Sequence, residues 1–263
     1  MAASPWLDWR KAARFLWSIW ALGLGVGLLL FFSALVLAFS ILGLGENFLA
    51  HVGRLWARLT VWLCGVPPKV HGQQNLAPGE HYVFACNHSS SVDIPVLQAI
   101  LPTNFRWIAK VELFRFPIFG PAMRAVGYIP INRSSSREAI RSLQEAAARI
   151  AGGASVVIFP EGTRTSDGEV LPFKSGAFTL AIKSGRPVIP VFIHRSFEAM
   201  PPKSYIVSPG PVHVYFGAPL ATDGLKTGDR DELAEKVRQA VIELQAQARA
   251  EHPLPAGAWF VAG

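Results

Sequence analysis

Charged side chains are scarce in this sequence. They make up 16% of its 263 residues, against about 25% in an ordinary soluble protein, so part of the chain needs an apolar environment. Cysteine is scarcer still, with only Cys64 and Cys86. Two thiols do not make a disulfide framework, which points to a reducing compartment and to buried thiols acting as small apolar groups. Zinc-ligand spacings, RNP-type aromatic strands and long basic runs are also missing. The net charge of +7 and pI near 9.7 are therefore read as attraction to an anionic membrane surface, with no nucleic acid as partner.

Residues 15–45 contain no charged side chain, and a run of about thirty exceeds the roughly twenty needed to cross a hydrocarbon core. A secretory signal has a much shorter apolar region, so a retained anchor is expected. Residues 48–66 mix Phe48, Leu55, Trp56, Leu59 and Trp62 with His51, Arg54 and Arg58, the composition of a helix lying at the lipid interface. Arg10, Lys11 and Arg14 precede the long run and favour a cytoplasmic N-terminus. If the region that follows is cytoplasmic too, the anchor must enter and leave on one side. The expectation is a membrane-embedded helical hairpin bent near Gly43 and Gly45, with a double span left open if Arg54 and Arg58 face protein or snorkel.

Past a boundary near Gly65, residues 1–65 give way to a globular unit over residues 66–263. Short apolar runs at residues 82–86, 107–109, 155–159, 188–193 and 212–216 read as strands. Helical spacing is read at residues 94–101, 174–183 and 232–250, and from a Ser135/Glu138 capping box to Ile150. The alternation predicts an α/β fold with a central mixed sheet covered by helices. No internal repeat occurs. The aromatic patch at Phe114, Phe116, Ile118 and Phe119 suits either lipid contact or a core turn.

Two polar clusters follow predicted strands. His88 and Asp93 supply the base and carboxylate that an alcohol nucleophile needs if its proton is to leave during attack on a carbonyl. In a regular helix, positions five apart lie about 140° around the axis, so the two side chains meet only if Ser89, Ser90 and Ser91 form a turn before a helix. Alone, that spacing also suits a structural histidine. The run Phe159-Pro-Glu-Gly-Thr-Arg164 adds a carboxylate, a glycine allowing close backbone approach, a hydroxyl and a guanidinium. Arg164 suits a phosphate, while Glu161 suits a hydroxyl or a structural ion pair with Arg164. By itself this run also suits a turn with a surface ion pair.

Together these residues resemble the glycerolipid acyltransferases related to PlsC, the 1-acyl-sn-glycerol-3-phosphate acyltransferases. The likeness rests on four ordered blocks: Asn87-His88 to Asp93, Gly127-Tyr-Ile-Pro-Ile-Asn-Arg133, Phe159 to Arg164, and Val188-Ile-Pro190-Val191. The resemblance implies His88 as general base and Asp93 as its orienting carboxylate. It implies acceptor binding by Asn87, Gly127, Arg133, Glu161, Gly162, Thr163 and Arg164. The second block departs from the family pattern at Pro130, where Phe is common. Lys110 and Lys174 stand in contexts the family shares and suit either phosphate or plain solvent.

The implied reaction is acyl transfer from acyl-CoA or acyl carrier protein to the sn-2 hydroxyl of lysophosphatidic acid, giving phosphatidic acid for phospholipid biosynthesis. No metal or redox cofactor is implied, and no acyl-enzyme. The implied partners are membrane phospholipids, the lyso-acceptor and the thioester donor; the implied location is a bacterial inner membrane with the catalytic unit facing the cytoplasm. Another acceptor (glycerol-3-phosphate, a different lysophospholipid or a lyso-aminolipid) and a non-catalytic adaptor for anionic lipid are the competing readings.

Overall fold

The charge-free run folds as one helix. In the computed structural model, which describes residues 6–101, 105–132 and 136–254, α1 spans Trp6–Ile41, about 54 Å at 1.5 Å per residue. Among the described residues it is one helix long and apolar enough to cross a bilayer. Gly43, at φ +79°, turns the chain into α2, Glu46–Leu63. The predicted hairpin is present.

α2 differs from the expected interfacial helix in what its polar face meets. Arg54 donates to the Leu101 carbonyl and Arg58 to the Ala99 carbonyl at 3.3 Å. Those oxygens close the C-terminal turn of α3, Asp93–Ile100, where carbonyls lack helical partners and attract cations. The arginines thus dock α2 on the globular unit, and the face left bare is apolar: Phe48, Leu55, Trp62 and Leu63 are exposed.

The remaining elements, in chain order, are β1 Pro68–His71, β2 Val83–Cys86, β3 Phe105–Lys110, α4 Phe119–Ala125, β4 Ile129–Ile131, α5 Ser136–Ala151, β5 Ser155–Ile158, α6 Phe178–Ser184, β6 Val188–His194, α7 Ser196–Ala199, β7 Val212–Phe216 and α8 Arg230–Glu251. α3 lies between β2 and β3. The strands form one seven-stranded mixed sheet in the order β1-β7-β6-β2-β5-β3-β4. From β6 to β4 all neighbours are parallel, while β7 runs antiparallel to β6 and carries β1 parallel to itself.

Parallel strands are buried on both faces, and alternate side chains go to opposite layers. Phe84, Cys86, Val157 and Val191 join α3 and the hairpin on one face. Val83, Ala85, Val156 and Val188 meet α5, α6 and α8 on the other. A third cluster joins Phe32 and Val36 of α1 to Leu49 and Val52 of α2, to Ala122 of α4 and to Val126, which caps that helix.

Several expectations shift in detail. The helix expected from Lys174 begins as a single 3-10 turn, with α6 proper from Phe178, because the Lys174 amide donates back to Pro160 O at 2.8 Å and holds that stretch beside β5. The aromatic patch divides: Phe114 is buried, whereas Phe116 and Ile118 are exposed. Ser135, the expected cap of α5, lies outside the described residues. β1, α4 and β4 are additional elements.

Candidate active site

Because β2, β5, β3 and β4 are parallel, the loops leaving them emerge at one edge of the sheet. That edge gathers most of the residues singled out from sequence. His88 follows β2, Pro160 to Arg164 follow β5, and Lys110 ends β3 exposed. Arg133 lies outside the described residues, just after β4.

The His88 to Asp93 unit is a turn running into α3, with Asp93 as the first helical residue. Asp93 is completely buried. Its Oδ2 accepts bonds from the Ser89 and Ser90 amides, both at 2.9 Å, and from His88 Nδ1 at 2.8 Å. Burying a carboxylate costs several kcal/mol unless such charge-assisted bonds offset it, so the carboxylate is bound to the turn that carries the imidazole. With Asp93 ionised, the proton sits on Nδ1 and Nε2 keeps its lone pair. The His88 side chain is 19% exposed, which leaves an edge for a reactant. Asn87 is buried: its Oδ1 accepts from Ile193 N at 2.7 Å and its amide donates to Ile193 O and Ser89 Oγ at 3.4 Å. It braces the end of β2 against β6.

Beneath the imidazole lies an aromatic stack. Phe159 is nearly parallel to His88, with centroids 4.0 Å apart, and Trp107 continues the stack at 5.9 Å. Trp107 Nε1 and Tyr128 Oη both donate to Gln98 Oε1, at 2.6 and 3.0 Å. Tyr128 in turn lines a small apolar pocket of about 60 Å³ with Phe32, Trp56 and Met123 between α1, α2 and α4. Sequence reasoning placed Phe159 in its block without a role for its ring. That role depends on a partner 71 positions away, which no local pattern reveals.

The second loop reaches the first at three points. The His88 amide donates to Glu161 Oε1 at 3.1 Å, the Thr165 amide donates to His88 O at 2.9 Å, and Arg164 Nη1 donates to Ser91 Oγ at 2.6 Å. The base and the guanidinium therefore share one edge. Glu161 is buried, and its pKa is pushed up to about 8, first by burial and also by the Asp93 charge, against bonds that favour the anion. With that pKa the carboxyl is largely protonated at neutral pH. Glu161 thus braces the His88 backbone and does not clamp Arg164.

Gly162, at φ +74°, leaves room for Lys174: a Cβ there would stand 2.9 Å from its Nζ. Lys174 consequently lies beside the same loop as Arg164, while Thr163 is exposed on it. Gly127 is elsewhere. It precedes β4, at the opposite end of that strand from the site, where its φ of +83° makes the turn and a Cβ would run into the Glu46 carboxylate.

Comparison with known proteins agrees with this geometry. The family model described as acyltransferase matches residues 67–194. The 1-acyl-sn-glycerol-3-phosphate acyltransferase of Cocos nucifera is 33% identical over 192 residues, covering 73% of this chain and 62% of that protein. The alpha form from Mus musculus is 34% identical over 186 residues, covering 70% and 65%. The chain thus spans just under two thirds of the length of these relatives. The crystal structure of the 1-acyl-sn-glycerophosphate acyltransferase PlsC from Thermotoga maritima superposes with a TM-score of 0.76 at 26% identity, covering 90% of this chain and 98% of the other. With the fold, the paired loops and these relatives in agreement, residues 67–194 form a domain of the acyltransferase family, and the chain is similar to the 1-acyl-sn-glycerol-3-phosphate acyltransferases.

Proposed function

We propose that this protein transfers a fatty acyl group from a thioester, acyl-CoA or acyl carrier protein, to the sn-2 hydroxyl of 1-acyl-glycerol-3-phosphate, giving phosphatidic acid. The observation that carries the reading is the contact between Arg164 and Ser91, which brings an anion-binding guanidinium onto the turn that holds the His88 and Asp93 pair. His88 Nε2 takes the proton of the acceptor hydroxyl as its oxygen attacks the thioester carbonyl. The C–S bond of the tetrahedral intermediate then breaks, and the thiolate regains the proton from the imidazolium, which Asp93 has stabilised meanwhile. Arg164 and Lys174, with Lys110 from the end of β3, supply positive charge for the acceptor phosphate, and Arg133 is assigned the same role from its place in the sequence. A neutral Glu161 lets that dianion approach without repulsion.

Residues 1–65 act as the anchor of the catalytic unit 66–263. The anchor enters one leaflet and does not cross the bilayer. Ser18 of α1 accepts a bond from the Val207 amide at 2.9 Å, and Val36 packs against α2 and α4, so the domain follows α1 for about 27 Å, close to a whole hydrocarbon thickness. The opposite face of α1, with Phe15, Ile19, Val26 and Phe31 exposed, lies in lipid and puts the site at the cytoplasmic interface. Purified protein given labelled donor and a panel of lyso-acceptors, with products weighed by mass spectrometry, tests the reading. Phosphatidic acid should dominate, whereas acylation of glycerol-3-phosphate or an amino-lipid in preference, or no thiol release, would overturn it.

A further inference from the structure

Three imidazoles converge away from the catalytic turn, on the face of the sheet covered by α8. His71 ends β1, His213 lies in β7, and His252 follows the last residue of α8. The ligand nitrogens of all three lie within 4.8 Å of one another, and His71 Nε2 stands 3.0 Å from His213 Nδ1. Stacking holds the rings in place. Tyr215 lies flat on His71 with centroids 4.3 Å apart, and His252 covers His213 at 3.7 Å.

We propose that His71, His213 and His252 form a binding site for a divalent transition-metal ion of the zinc class. Zinc sits about 2.0–2.1 Å from imidazole nitrogen, so tetrahedral ligands stand roughly 3.3 Å apart; the His71–His213 pair is already near that spacing, and the third ligand nitrogen lies within 4.8 Å of both. Imidazole is the donor that suits such ions. The site is at the C-terminal end of α8, where unpaired carbonyls concentrate negative charge, which offsets the Arg195 guanidinium that also acts on His213. The Glu251 carboxylate is beside the site, held by Tyr215 Oη at 2.7 Å. His194 Nε2 donates to the His252 backbone carbonyl at 2.8 Å, which holds the main chain that carries the third imidazole. Such an ion would tie the end of α8 to β1, the edge strand, and so hold the last helix on the sheet. No catalytic step is assigned to it.

The test uses untagged full-length protein in detergent micelles, stripped with chelator and dialysed against buffered Zn²⁺, with bound metal counted by mass spectrometry. Wild type should retain about one equivalent per chain, and Zn²⁺ should raise its melting temperature. His252→Ala, at a part-exposed position after the last helix, should weaken binding at least about 10-fold, and His71→Ala likewise, whereas His88→Ala should bind as wild type does. Wild-type uptake no greater than that of the His71→Ala/His252→Ala double variant, or a melting temperature that Zn²⁺ leaves unchanged, would overturn the proposal. So would uptake lost in His88→Ala and kept in the double variant.

Discussion

The chemistry is concentrated in one carboxylate oxygen. Asp93 Oδ2 accepts two amide bonds and the imidazole bond, so it fixes both the turn and the tautomer of His88. Asp93→Asn should leave the helix start in place but lower kcat at least about a hundredfold, because a neutral amide cannot stabilise the imidazolium; unchanged turnover would remove that role. Arg164→Ala should raise KM for the phosphate acceptor about 10- to 100-fold with a smaller change in kcat, the worth of one charge-assisted contact, and Arg164→Lys should recover part of it. Equal losses with a phosphate-free acceptor would contradict the assignment.

Glu161 gives a pH signature. Its pKa rises from 4.5 to about 8 in the fold, so the folded state holds its proton more tightly than the unfolded chain. The associated stability is fully present below pH 4.5 and is lost as pH rises toward 8. The melting temperature of Glu161→Gln should therefore gain on wild type across that window, and parallel curves would show the carboxyl to be ionised throughout.

At the level of elements, legibility followed locality. β2 and β5, which carry the two paired loops, were readable because each is a short apolar run ending at a polar cluster, as residues 155–164 show. β1 was not, since Pro-Lys-Val-His offers one aliphatic side chain in four and becomes a strand only by pairing with β7. Gly127 and Arg133 belong to one block in sequence, but the three residues of β4 lie between them. At about 3.3 Å per residue that suffices to put the glycine at the far edge. The sidedness of α2 was equally nonlocal: Arg54 and Arg58 read as the polar side of an interfacial helix, with protein contact left open, and only α3 shows which carbonyls they meet. Arg54→Leu should therefore loosen the seam between α2 and α3, lowering the melting temperature with little change in vesicle binding. Weakened vesicle binding at unaltered stability would return that arginine to the lipid.

Over the whole molecule, a parallel sheet brings its loops to one edge while a hairpin covers one face and presents bare apolar side chains outward. In the proposed reaction the acceptor resides in lipid and the donor in water, and an active edge beside a hairpin with an apolar outer face would serve both. Replacing Leu55, Leu59 and Trp62 by Ser should reduce association with anionic vesicles while sparing the α3-facing side of α2, and flotation measures it directly. Undiminished flotation would leave α1 as the sole membrane contact.

The central claim is that the His88 imidazole takes the acceptor proton. Initial rates of phosphatidic acid formation from labelled donor, compared between wild type and His88→Ala in the same micelles and at matched circular dichroism, test it most directly. The loss should be about 10²- to 10⁴-fold, the usual worth of a general base. A folded His88→Ala protein turning over at the wild-type rate would contradict the account.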